Sequence, residues 1–236
     1  MKVWCLFEQS GTFKNVFRKY GIESVDVDWC NDFQETDIET DLFKDIDKAY
    51  SGQGTIFEDM DPDDLLMVFF PCTRFTEKTQ LLLKASLAQM QDWDDTKKLE
   101  YSRKTMREVN TYYQVLCKLW IVVKRLNLRM IVENPCNPAW SLSIMFPIPP
   151  TIVHPDRSLL GDYYEKSTQY WFVNCTPKNN FFLEDLTGTS KIVDRQKGNE
   201  KLSRQVIRSM ISPVYADRFV REYILDESQL YRDEKA

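Results

Sequence analysis

The chain has 236 residues, of which 43% are hydrophobic and 28% charged, with only 7 glycines and 10 prolines; this is enough to bury a substantial core and excludes the fibrous and disordered classes. The formal net charge of −5 argues against a protein that wraps nucleic acid by bulk attraction, so any phosphate contact must be local. No basic segment leads into an apolar run at the start, no stretch approaches the roughly 18 apolar residues of a membrane span, and Cys5, Cys30, Cys72, Cys117, Cys136 and Cys175 form no CxxC pair. These features predict a soluble, cytoplasmic protein with reduced thiols and no membrane partner.

In chain order, Val3 to Phe7 is a short apolar run ending at Glu8-Gln9-Ser10-Gly11, after which Phe13, Val16, Phe17 and Tyr20 recur at helical spacing up to Gly21. Strand, turn and helix are predicted there, with a second strand over Ser24 to Val27. Residues 30 to 64 are acidic and weakly patterned, apart from a helical piece around Leu42 to Tyr50. Leu65 to Phe70 is apolar without alternation, as expected of a strand covered on both faces. From Lys97 to Leu126, Met106, Val109, Tyr113, Leu116, Trp120, Val123 and Leu126 fall three or four apart and mark a long amphipathic helix. Met130 to Val132 reads as the next strand. Beyond Pro135 the prolines crowd and the pattern loosens, with His154 read as a loop residue; Gln169 to Val173 then reads as a strand and Pro213 to Leu225 as a closing helix that begins at Ser212.

Strands alternating with helices predict a mainly parallel, doubly wound α/β sheet, whose ligands bind at the carboxyl ends of the strands. Glu8 to Gly11, Asp26, Pro71-Cys72 and Glu133-Asn134-Pro135 all fall at such ends. Charge is uneven as well. Acid is concentrated between Asp26 and Asp64, while Lys191, Arg195, Lys197, Lys201, Arg204, Arg208, Arg218 and Arg221 make the C-terminal part the expected phosphate-facing surface.

Phe70-Pro71-Cys72-Thr73-Arg74-Phe75 resembles the Pro-Cys loop of DNA cytosine-5 methyltransferases, and Val132-Glu133-Asn134 resembles their Glu-Asn motif, in the right order along the chain. Leu6 to Phe13 is similar to their first, cofactor-binding motif. Gly161-Asp162-Tyr163-Tyr164, Thr168 to Phe172 and Ile211 to Ala216 bring the likeness closest to the small phage and prophage-type DNA cytosine methylases. The resemblance implies a Rossmann-like S-adenosylmethionine-dependent methyltransferase fold, with helices on both faces of the sheet and a small irregular C-terminal appendage. It implies a cofactor-binding and catalytic core over residues 1–135, a reduced target-recognition region with returning core strands over 136–210, and a closing helix over 211–236.

The same resemblance implies residue roles. Cys72 matches the thiol that adds to cytosine carbon 6, and Glu133 the carboxyl group that protonates or hydrogen-bonds ring nitrogen 3, with Asn134 holding the loop. Arg157 is what remains of the arginine-rich motif. For S-adenosylmethionine, Phe7, Glu8, Ser10, Gly11 and Thr12 would admit the methionine part, Asp26 would bind the ribose hydroxyls and Asp41 the adenine. Pro71 is counted with the cofactor-binding residues, and Ser212 would return to close the pocket. The partner would be DNA with its target cytosine flipped out or single-stranded. Three departures stand out: one glycine instead of two in the first motif, missing arginines, and only about residues 136 to 210 for reading sequence, which confines readout to a very short site or requires a partner protein for specificity. They leave room for two other functions, a catalytically inactive nucleic-acid or nucleotide-binding protein and the same chemistry on RNA or a free nucleotide.

Overall fold

A computed structural model of the chain describes residues 1–182, 184–189 and 209–226. Of the basic residues expected to face phosphate, Lys191, Arg195, Lys197, Lys201, Arg204 and Arg208 lie outside the described residues.

Seven strands form one sheet: β1 (Val3–Leu6), β2 (Ser24–Asp28), β3 (Ile38–Glu39), β4 (Leu65–Phe69), β5 (Arg129–Pro135), β6 (Ile152–His154) and β7 (Thr168–Val173), in the order β3-β2-β1-β4-β5-β7-β6. Pairing is parallel from β3 through β5, and β7 pairs antiparallel with both β5 and β6. The chain winds from β1 outwards to β2 and β3, then returns to β4 on the other side of β1. The strand order therefore reverses between β1 and β4, and the crevice beyond their carboxyl ends is where such sheets hold ligands.

Both faces of the sheet are covered, which explains the unbroken apolar strands. Val3, Cys5, Leu65, Met67 and Ile131 pack with residues of α1 (Thr12–Lys19) and of the C-terminal helix α6 (Pro213–Tyr223). Their sequence neighbours Trp4, Leu6, Leu66, Val68, Met130 and Val132 point the other way, towards α2 (Leu42–Tyr50) and α4 (Asp95–Arg125). Side-chain caps start three of the helices: Asp41 accepts from the Lys44 amide, Asp94 from Lys97, and Ser212 from Val214 with Pro213 at the first helical position.

α4 holds Val109, Leu116 and Val123 in the core as its periodicity predicts, but Met106 is 52% exposed, because a helix of 31 residues outruns the strands it packs on. Between β4 and α4 lies α3 (Glu77–Leu83), and after β5 a single turn, α5 (Leu142–Met145); neither is evident in the sequence. The proline-rich stretch also contains β6, so His154 is a strand residue rather than a loop residue. It is buried, and its ring nitrogens are bonded to the hydroxyls of Tyr215 (2.8 Å) and Tyr223 (3.1 Å). Among the described residues no helix is long and apolar enough to cross a membrane.

Candidate active site

The turn after β1 is made without a second glycine. Phe7, Gln9 and Gly11 all adopt left-handed backbone (φ 63°, 58° and 63°), so two non-glycine residues take up strained conformations of the kind often found at ligand clamps. Gly11 has no room for a side chain, since a Cβ there would meet Glu35 at 2.6 Å. Glu8 turns back onto the start of α1, where its carboxylate accepts from the Phe13 amide at 2.5 Å and the Lys14 amide at 3.4 Å. Burial nevertheless pushes its carboxyl up to about 7. The Ser10 and Thr12 hydroxyls lie 3.0 Å apart, and Phe7 packs against Phe70 with ring centroids at 5.7 Å.

β2 runs two residues past Asp26. Asp26 is fully buried opposite Cys5, and its Oδ2 accepts from the Gly11 amide at 3.2 Å while Oδ1 has no hydrogen-bond partner among the described residues. Burial first, and the neighbouring Glu8 second, push its carboxyl up to about 8. The acid at the strand's carboxyl end is Asp28. Its Oδ1 accepts from the amides of Trp29 (2.7 Å) and Cys30 (3.1 Å) and from Gln9 Nε2 (3.4 Å), and burial raises its pKa too. Beside it the Trp29 side chain is 74% exposed. Asp41 starts α2, where its carboxylate is paired with Lys44 Nζ at 3.0 Å and is held below the usual carboxylate range by that lysine.

Cys72 and Glu133 come from adjacent parallel strands. Phe69 of β4 is in register with Glu133 of β5, so Pro71-Cys72 leaves the sheet beside the Glu-Asn pair. The loop and the end of β5 are joined by a buried bond: Asn134 Nδ2 donates to the Phe70 carbonyl at 3.0 Å. The Pro-Cys loop is further held by the Phe75 amide on the Cys72 carbonyl (2.8 Å), by an Arg74–Glu108 ion pair (2.6 Å) and by Trp140 Nε1 on the Arg74 carbonyl (3.3 Å). Cys72 is half-buried. Its thiol is raised above the ordinary value by burial; Lys166 and Arg157 pull it down, and Glu133 pushes it up.

Arg157 is completely buried in a 3-10 turn (Arg157–Leu160) before β7. Its guanidinium is paired with Asp162 (Nη2 to Oδ2, 2.6 Å) and reaches Glu133 (Nη1 to Oε1, 3.4 Å). Burial alone would disfavour its charge, but Asp162 holds it charged. Asp162 also accepts from the Ser212 amide at 2.8 Å, which links the first turn of α6 to Arg157 and through it to Glu133. Arg157 thus contacts the carboxylate of the candidate site rather than open space. Beside the starts of α1 and α6 lies a cavity of about 540 Å³ lined by Ser10, Thr12, Pro213 and Val214 among others.

The structure therefore gathers Phe7 to Thr12 and Asp26 around one turn, and Cys72, Glu133, Asn134 and Arg157 around the neighbouring strand ends. Asp41 has no bond to either group among the bonds described. Two residues escaped the sequence reading. Asp28 was detectable as the second acid of the Asp26-Val27-Asp28 alternation, whereas nothing local marks Lys166. No cluster of His, Cys, Asp and Glu suited to a metal ion occurs among the described residues. Compared with known proteins, the chain matches no protein-family model, and no curated protein matches it significantly.

Proposed function

We propose that the chain is an S-adenosylmethionine-dependent methyltransferase of the Rossmann-like kind that methylates carbon 5 of cytosine in DNA. The observation that carries this reading is the juxtaposition of a half-buried cysteine and a carboxylate on adjacent strand ends, joined by the Asn134–Phe70 bond, next to the point where the strand order reverses. Carbon 5 of cytosine is a poor nucleophile. Addition of the Cys72 thiolate to carbon 6 makes it enamine-like, and a carboxyl group at the base edge favours that addition by hydrogen-bonding or protonating nitrogen 3. Glu133 takes this second role, with Arg157 fixing its orientation. Once carbon 5 carries the methyl group that the cofactor would supply, loss of the carbon 5 proton to solvent base and expulsion of the Cys72 thiolate restore the aromatic ring.

S-adenosylmethionine would supply the methyl group. The left-handed turn from Phe7 to Gly11 would bring backbone close to the cofactor's amino-acid part; the Phe7, Ser10 and Gly11 amides bond within the protein, which leaves those of Glu8 and Gln9 for the ligand. Asp28 suits the ribose hydroxyls better than Asp26: it stands at the strand end, and its Oδ2 has no hydrogen-bond partner among the described residues, whereas Asp26 is sealed beneath Gly11. The exposed Trp29 ring beside it offers a stacking face for adenine.

The test is to incubate purified protein and labelled S-adenosylmethionine with duplex DNA, single-stranded DNA, RNA and free cytidine nucleotides, and then to analyse the bases. The label should appear as 5-methylcytosine in DNA. Label on an exocyclic nitrogen would refute the mechanism, label in RNA or nucleotide alone would change the substrate, and cofactor binding without any transfer would support the catalytically inactive binding protein.

A further inference from the structure

Three cationic residues belong to the Cys72 loop or to the neighbouring strand ends, and two are committed to carboxylates. Arg74, on the same loop, is paired with Glu108 at 2.6 Å. Arg157 is buried between Asp162 and Glu133. Lys166 alone of the three has no carboxylate within ion-pair distance among the described residues, although it is half-buried.

The position of Lys166 is fixed by its backbone. Its carbonyl accepts from the Arg157 amide at 3.2 Å, and the next carbonyl, of Ser167, accepts from Cys136 at 3.0 Å. Two residues further on, Thr168 opens β7 opposite Pro135, and Tyr170 lies opposite Glu133. Lys166 therefore precedes the strand that borders the Glu133 end of β5, on the same rim as the loop of Cys72. Thr168 at that strand end is fully buried, and its hydroxyl has no hydrogen-bond partner among the described residues. Among the charged groups of this rim, Lys166 and Arg157 lower the pKa of the thiol and Glu133 raises it, with Lys166 the largest of the three.

We propose that Lys166 is the counter-cation of the Cys72 thiolate. This rests on the reading of Cys72 as the nucleophile. On ionisation the thiol proton passes to solvent base, and the sulfur's new negative charge is balanced by an ammonium group that itself neither forms nor breaks a bond. Half-burial makes the pairing effective, because a charge interaction grows as water is excluded.

The experiment is alkylation of the full chain with iodoacetamide, in which the thiolate displaces iodide, followed at Cys72 by peptide mass from about pH 6 to about pH 11. In wild type the rate should follow one ionisation. Lys166→Gln should move its midpoint up and slow alkylation at neutral pH by roughly three- to tenfold, the effect of losing one partly solvated charge. Lys166→Arg should restore it, and Glu133→Gln should move the midpoint down. High salt should shift the wild-type midpoint upwards by screening, which provides a second measurement should the glutamine variant fail to fold. A Lys166→Gln protein with wild-type circular dichroism and an unmoved midpoint overturns the proposal, as does a wild-type Cys72 that is not alkylated at any pH. Alkylation needs neither cofactor nor DNA, so a failure of methyl transfer leaves this readout intact and the two readings separable.

Discussion

Glu133 lies 3.4 Å from a buried arginine, and the thiol of Cys72 is pulled towards ionisation by the charges of Lys166 and Arg157. Replacing Glu133 with Gln keeps the shape and removes the acid. Methyl transfer should slow by about 100- to 10,000-fold with cofactor affinity unchanged, as measured by single-turnover labelling and calorimetry. On the cofactor side, Asp28→Ala should weaken S-adenosylmethionine binding by roughly ten- to a hundredfold, since it removes charge-assisted bonds to hydroxyls. Unchanged affinity in calorimetry would remove Asp28 from the site. Cys72, Glu133 and Asn134 were legible in the sequence because Cys72 follows, and Glu133 and Asn134 end, strands whose unbroken apolar runs stand out. Asp28 was passed over because Asp26-Val27-Asp28 alternates like the frayed end of a strand, whereas both acids are in fact buried and held by backbone amides. Lys166 could not be found at all, since its place depends on the antiparallel register of β7 against β5, a pairing of residues about 35 apart that no local pattern encodes.

Among the elements, α6 joins the cofactor side to the catalytic side. Ser212 caps it through Val214, and the Ser212 amide is bound by Asp162. Ser212→Ala should lower stability by about 1 kcal/mol, the usual cost of losing an N-cap, as read from denaturant unfolding. Asp162→Ala should cost more, roughly 3–5 kcal/mol, because it leaves Arg157 buried without its closest counter-charge. A smaller loss at Asp162 than at Ser212 would contradict the role given to the buried pair. Long periodic elements were legible: α2 has the bounds that its spacing predicts, and α4 departs by about two residues at its start. Those that were missed depend on tertiary support. β3 has two residues and is flanked by bonds from the Asp37 and Thr40 amides to the carbonyls of Asp26 and Asp28; α3 buries only Thr79; and β6 is a short edge strand within a proline-rich stretch.

For the whole molecule, concentrating acids at the strand ends makes stability depend on pH. Asp26 is raised from 3.8 to about 8, so the folded state holds a proton that the unfolded state releases, and the stabilisation present at low pH is lost as pH rises towards 8. His154 acts in the opposite sense, since burial lowers it from 6.5 to about 4, and it costs stability as pH falls through that range. The window from about 6.5 to about 8 therefore isolates the buried acids. Asp26→Asn should flatten the fall of melting temperature across it, and an unchanged slope would show that Asp26 is ionised in the fold. Such buried acids are tolerated where a site has uses beyond folding.

A covalent bond between Cys72 and cytosine would be seen in the intact-complex mass on DNA containing 5-fluorocytosine. Fluorine at carbon 5 blocks the final elimination, so wild type with S-adenosylmethionine should accumulate a stable adduct whose mass is that of protein plus DNA plus one methyl group, mapped to Cys72. Cys72→Ser should give none, because a serine hydroxyl is a far poorer nucleophile at neutral pH, while Cys5→Ser, Cys30→Ser and Cys117→Ser should still be trapped. Methylation of ordinary cytosine at carbon 5 without trapping, or trapping that survives Cys72→Ser, would contradict the account.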